Sequence, residues 1–127
     1  MTLANVLTAL QTHMAAAAGA AAVGMRRPGT QTPAVVWEMT SAECVWLQRG
    51  VPGAGWQVTC EVSIYADTVA ECVTEADQIV TYWNNPLSPT ATLVCTGVSA
   101  AMRTESQADG SEGDERICVL TLTLQGA

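Results

Sequence analysis

Five cysteines, one histidine and a run of acids are the residues of this chain whose types could carry chemistry. Cys44, Cys60, Cys72, Cys95 and Cys118 are spaced 16, 12, 23 and 23 residues apart. No CxxC pair occurs, so neither a zinc ribbon nor a thioredoxin-type redox motif is supported. Each thiol stands where a small apolar side chain would serve, which reads as five reduced core cysteines. One or two disulfides in a secreted module, or a reactive thiol, are the alternatives. His13 is the only histidine, so a His-pair metal site or Ser–His machinery within one chain is not expected. It reads as a surface or interface residue. The glycine patterns of dinucleotide sites, P-loops and nucleophile elbows are missing. The sequence therefore points away from an enzyme and names no cofactor.

The acids are more concentrated. Residues 105–115 hold Glu105, Asp109, Glu112, Asp114 and Glu115 with two glycines and no base. This is expected to be a solvated, mobile hairpin loop. Its oxygen ligands lack the EF-hand spacing and closing glutamate, which leaves weak divalent binding as the alternative. Glu71 and Glu75 lie four residues apart on a helical pattern and read as surface acids. Glu61 and Tyr65 share one face of a strand pattern and read as exposed, with a pocket lining as the alternative. Trp46, Arg49, Val51 and Trp56 flank or lie in a stretch rich in glycine. Tryptophan and arginine beside a projecting loop are the types enriched at interface hot spots. They are the candidate contact residues, with burial of both tryptophans in the core as the competing reading.

The chain that must position these residues has 127 amino acids, 49% hydrophobic and 13% charged. That is one domain, 1–127, able to bury roughly two-thirds of its unfolded surface without a metal or disulfide. Twelve acids face five bases, all arginine, for a net charge of -7. Such a balance disfavours a nucleic-acid clamp, which gains affinity by releasing counterions from phosphates.

Residues 2–23 read as a helix, with Leu3, Val6, Leu7, Leu10 and Met14 on one stripe and Ala17, Ala18 and Ala21 following. The stretch is apolar, but 1–12 carries no base, so an intact helix is expected and not a signal peptide or membrane span. Strands are expected over 34–40 and 43–48. The glycine-rich segment 49–55 then makes a long hairpin connection. Residues 56–66 alternate almost without fault: Trp56, Val58, Cys60, Val62, Ile64 and Ala66 against Gln57, Thr59, Glu61, Ser63 and Tyr65. A helix capped by Asp67 or Thr68 follows, with Val69, Cys72, Val73, Ala76, Ile79, Val80 and Trp83 on its apolar stripe. Two strands close the chain. In 92–103, Val94, Val98 and Met102 are expected opposite Leu93, Cys95 and Gly97. In 116–125, Cys118, Leu120, Leu122 and Leu124 are expected to face the core. The order is α-β-β-β-α-β-β. It suits an α+β fold with a mainly antiparallel sheet and two helices packed on one face.

This arrangement resembles the tail terminator, or tail-completion, proteins of long-tailed bacteriophages and related particles. The resemblance rests on the leading helix and the strand Pro33-Ala34-Val35-Val36-Trp37. It continues through the alternating strand ending Ile64-Tyr65-Ala66, the acid-dotted helix that follows at once, and the closing threonine/leucine strand. The alanine-rich first helix and the long acidic hairpin depart from the pattern. The resemblance implies a virion protein assembled in a bacterial cytoplasm. It would form a ring, usually a hexamer, at the head-proximal end of the tail tube, ending tube polymerisation and joining tail to head. Its partners would be other copies of itself, the tail tube protein and a head–tail connector or stopper. DNA would pass through without specific binding, past an acidic wall, and no membrane would be involved. The tryptophan hairpin would then touch a neighbour, and the acidic loop would sit on the lumen or rim. A neighbouring head–tail joining or tail-tube protein, and a small protein- or ligand-binding module, remain the other readings.

Overall fold

The computed structural model describes residues 3–18, 22–24, 33–44, 55–84, 93–106 and 114–126. The elements are α1 (Leu3–Ala17), β1 (Ala22–Gly24), β2 (Ala34–Cys44), β3 (Trp56–Ala66), α2 (Val69–Trp83), β4 (Leu93–Ser106) and β5 (Asp114–Gly126). The sheet order is β1-β2-β3-β5-β4. All four long strands pair antiparallel, and β1 alone is parallel to its neighbour. This is the α+β fold expected from the hydrophobic patterns.

The strands differ from expectation in two places. The first helix stops at Ala17, and Ala22–Gly24 pairs with Ala34–Val36 as an edge strand. Gly19 is the first strong helix breaker in the alanine run, and the β-branched Val23 suits a strand. The strand expected over 34–40 and the start of the one expected over 43–48 are one strand, Ala34–Cys44, and 45–48 lie outside the described residues. Ser41-Ala42 holds no turn signal, and a bulge between Met39 and Ser41 absorbs the break in alternation. The seven-element order thus stands, with β1 in place of a split strand.

Both helices lie on one face of the sheet. The core beneath them is built from Val6, Leu10, Met14, Trp37, Val58, Cys60, Val62, Ile64, Cys72, Ile79, Trp83, Leu120, Leu122 and Leu124. In β3 and β5 the period-two pattern is met: Val58 to Ala66 and Cys118 to Leu124 are buried at every second residue. The Oγ1 of Thr68 accepts the backbone N–H of Glu71 at 3.2 Å and caps α2 as expected. The buried stripe of α2 is Cys72, Glu75, Ala76, Ile79 and Trp83. Glu75, expected as a surface acid, is therefore inside. Val69 and Val73, expected inside, are 52% and 44% exposed. Residues 72, 75, 76, 79 and 83 span the narrower arc that one sheet face can cover, and the valines fall beside it.

Alternation in β4 is also inverted at its start. A register shift between Cys95 and Gly97 places Leu93 and Cys95 on the helix-bearing face together with Val98, Ala100 and Met102. Val94 lies on the opposite face and is 53% exposed. No helix among the described residues is long and apolar enough to cross a membrane.

All five cysteines are free thiols. Burial first, and then the nearby Glu38 carboxylate, pushes Cys60 up to about 12. Burial also raises Cys72, Cys95 and Cys118. The thiolate is the reactive form, so these groups are expected to be slow. In native protein a thiol reagent should modify the half-exposed Cys44 first, and Cys60, Cys72 and Cys118 only on unfolding. Mass spectrometry of a labelling time course checks this order, and prompt loss of the three buried thiols would contradict it.

Candidate functional site

The helix-free face of the sheet is the surface on which polar chemistry gathers. Strand register assigns it Glu38, Ser41 and Glu43 from β2, and Gln57, Thr59, Glu61, Ser63 and Tyr65 from β3. From β5 come Val119, Thr121, Thr123 and Gln125, and from β4 Ser99, Ala101 and Arg103. Glu38 and Glu61 are direct cross-strand partners. Like charges placed opposite one another repel, so this pair favours neither the isolated hairpin nor a dry cover. Glu38 and Glu43 are exposed and Glu61 is half-buried. The end of the face beside Tyr65 is apolar: Ala34, Val36, Ile117 and Val119 share it in register, and Ala34 and Ile117 are 0% and 1% exposed. The result is a broad, hydroxyl-rich, acidic wall.

The two edges of this sheet differ from most exposed edges. At one end nothing among the described residues pairs with the outer edge of β4, and Val98 and Met102 on it are 40% and 47% exposed. At the other end β1 covers β2 only at Ala34–Val36. Among the described residues, nothing pairs with the outer edge of β2 beyond Val36. Edge strands in monomers are commonly blunted by lysine, proline or inward charges. From Val98 to Met102 the β4 edge reads Val-Ser-Ala-Ala-Met and has none of these.

A second cluster joins the helices. Tyr82 Oη and His13 Nδ1 share a hydrogen bond of 2.6 Å. The His13, Tyr82 and Trp83 rings meet pairwise, tilted or edge-on, at centroid distances of 5.8 to 6.0 Å. Burial pushes the Tyr82 phenol up, which favours its protonated form. His13 is thus half-buried and ties α1 to α2. Next to it, a shallow cleft of about 710 Å³ is lined by Ala16, Ala17, Thr74, Asp77, Gln78, Thr81 and Tyr82. It brings together no nucleophile with a base. Among the described residues no three His, Cys, Asp or Glu side chains are grouped to hold a metal ion.

The candidate residues from the sequence are distributed unevenly over this geometry. Trp46, Arg49, Val51, Asp109 and Glu112 lie outside the described residues. Trp56 opens β3 opposite Cys44 and packs half-buried against the core, as the competing reading had it for this tryptophan. Of the other tryptophans, Trp37 and Trp83 are core residues, 2% and 3% exposed. Glu105, Asp114 and Glu115 are strand residues and not loop residues. The β4–β5 ladder runs out to Ser106 opposite Asp114 and sets Glu105 opposite Glu115. The expected loop 105–115 is shorter by that ladder. Strand hydrogen bonding continues through charged residues once two strands are in register, which composition alone does not reveal.

The acidic wall itself was legible only as scattered polar residues at alternate positions. Its continuity depends on which strands are neighbours. The sequence matches no protein-family model, and no curated protein matches it significantly.

Proposed function

We propose that this protein is a ring-forming virion component of the tail terminator type, sitting at the head-proximal end of a phage tail tube. The observation that carries the reading is the helix-free sheet face, hydroxyl-rich and bearing Glu38, Glu43 and Glu61. A DNA passage needs a wall that does not release counterions from phosphates, and carboxylates provide it. Strand edges left unpaired among the described residues on both sides of the same sheet supply what a cyclic assembly needs, a surface and its complement on one subunit. The net charge of -7 agrees with a structure that meets DNA without holding it. In this reading the ring ends tube growth and presents a docking surface to a head–tail connector or stopper protein.

Solution mass by light scattering, with negative-stain images of the same sample, tests the assembly. A closed ring of several copies is expected. A strict monomer at all concentrations would overturn it and favour a small binding module built around the cleft between α1 and α2. The wall is tested separately. Changing Glu43 and Glu61, which carry no charge pair in the subunit joint, to glutamine should leave the fold intact, because acids that keep contact with solvent contribute little to stability. The assembled variant should retain more duplex DNA on a filter at low salt. The difference should shrink as the screening length falls to about 8 Å at physiological salt. Equal retention by variant and parent at low salt would remove the wall from the channel.

A further inference from the structure

We infer that copies of this chain join head to tail by strand addition, with residues 98–104 of β4 pairing antiparallel to residues 37–44 of β2 in the next copy. The inference deepens the ring reading, on which closure of the assembly depends. Strand direction permits it. The four long strands alternate in direction across β2-β3-β5-β4, so β4 and β2 run oppositely. A neighbour added in the same orientation continues the antiparallel sheet without a flip. Such a contact is heterologous and can close a ring.

Register follows from charge and from the alternation of faces. Arg103 on β4 and Glu38 on β2 both lie on the helix-free face. Setting Arg103 opposite Glu38 of the next copy puts Met102 opposite Met39 on the helix-bearing face. Beyond the β2 bulge, Ala100 then meets Ala42 and Val98 meets Cys44. Ser99 meets Glu43 on the polar face. Every pair joins residues of the same face, and the exposed Val98 and Met102 gain apolar partners. β1 blocks the alternatives in which β4 slides further along β2, because it occupies Ala34–Val36. Within one subunit Glu38 shares its cross-sheet row with Glu61, Thr121 and Ser99. Pairing it with Arg103 of another copy therefore adds a four-residue stagger at each joint. A sheet that closes on itself requires stagger of this kind.

Two experiments on the full-length protein test the joint. Val98→Cys places a thiol beside Cys44 of the next copy, within reach of a disulfide across an antiparallel pair. Mild oxidation of V98C should give a ladder of covalent multimers on non-reducing gels. The parent should give none, and the further change Cys44→Ala should abolish the ladder. Separately, Arg103→Glu and Glu38→Arg should each weaken assembly about tenfold, and the double variant should recover most of that loss. Circular dichroism confirms that each variant folds, and the disulfide ladder needs no charge change. Absence of a ladder and of charge rescue in a protein that still forms rings would overturn the strand joint and leave the ring standing. A parent that stays monomeric would overturn both.

Discussion

Trp83→Ala is expected to cost about 3–5 kcal/mol, the range for removing a buried large aromatic side chain. Trp83 is 3% exposed at the last turn of α2. Its ring meets His13 at 6.0 Å and Tyr82 at 5.8 Å, edge on in both cases. It also borders the groove formed with Cys95, Gly97 and Val98 of β4. One side chain thus holds α1, α2 and the edge strand. Its loss leaves a cavity that three elements must close together, and strands cannot shift without breaking register. For a domain of this size the melting temperature should fall by at least 10 °C. Trp83→Phe should cost far less, about 1–2 kcal/mol. It keeps an aromatic ring and removes an indole N–H that has no hydrogen-bond partner among the described residues. Urea titrations followed by far-ultraviolet circular dichroism measure both. Equal losses in the two variants would show that the indole nitrogen, and not ring volume, matters.

Glu75→Met should stabilise the protein by about 1–3 kcal/mol at neutral pH, the usual cost of an unsatisfied buried polar group. Glu75 is 8% exposed, and its Oε2 is buried with no hydrogen-bond partner among the described residues. Burial pushes its carboxyl above the ordinary carboxylate range. The folded chain then holds this proton to higher pH than the unfolded chain does. This group's contribution is therefore favourable below about pH 4.5, the ordinary value, and is lost as pH rises through the raised folded value. Methionine has a similar length and no charge to desolvate. The gain from the substitution should accordingly be large at pH 7 and small at pH 4. A stability difference independent of pH would mean that packing, not ionisation, governs the site. If Glu75 proves to be matched by a partner in the assembled ring, Glu75→Met should instead impair assembly while still raising monomer stability.

Much of the architecture was readable from residues alone because it rests on periodicity. Strand β3 alternates from Trp56 to Ala66 with one face buried, and β5 does so from Cys118 to Leu124. A two-residue period admits no other burial pattern once one face is covered. The cap at Thr68 and the apolar stripe through Cys72, Ile79 and Trp83 likewise announce α2 and its inward face. The acid excess was also present in the composition.

Tertiary structure decided what depends on neighbours distant in the chain. The bulges after Met39 and Cys95 each move one residue across the sheet. The second inverted the faces expected for Val94 and Leu93. Composition does not show a single residue slipping out of a ladder. Glu75 is buried because of where α2 lies on the sheet, an outcome set by the crossing of helix and strands and not by its helical neighbours. The gathering of these polar residues on one face, and which strands stand at the edges, follow from β5 inserting between β3 and β4. That order leaves β4, which carries no charge between Val98 and Met102, at an edge of the sheet. Local propensity dictates which segments become strands. Which strand is left at the edge is a property of the whole chain, because it follows from the sheet order that buries one apolar face beneath two helices.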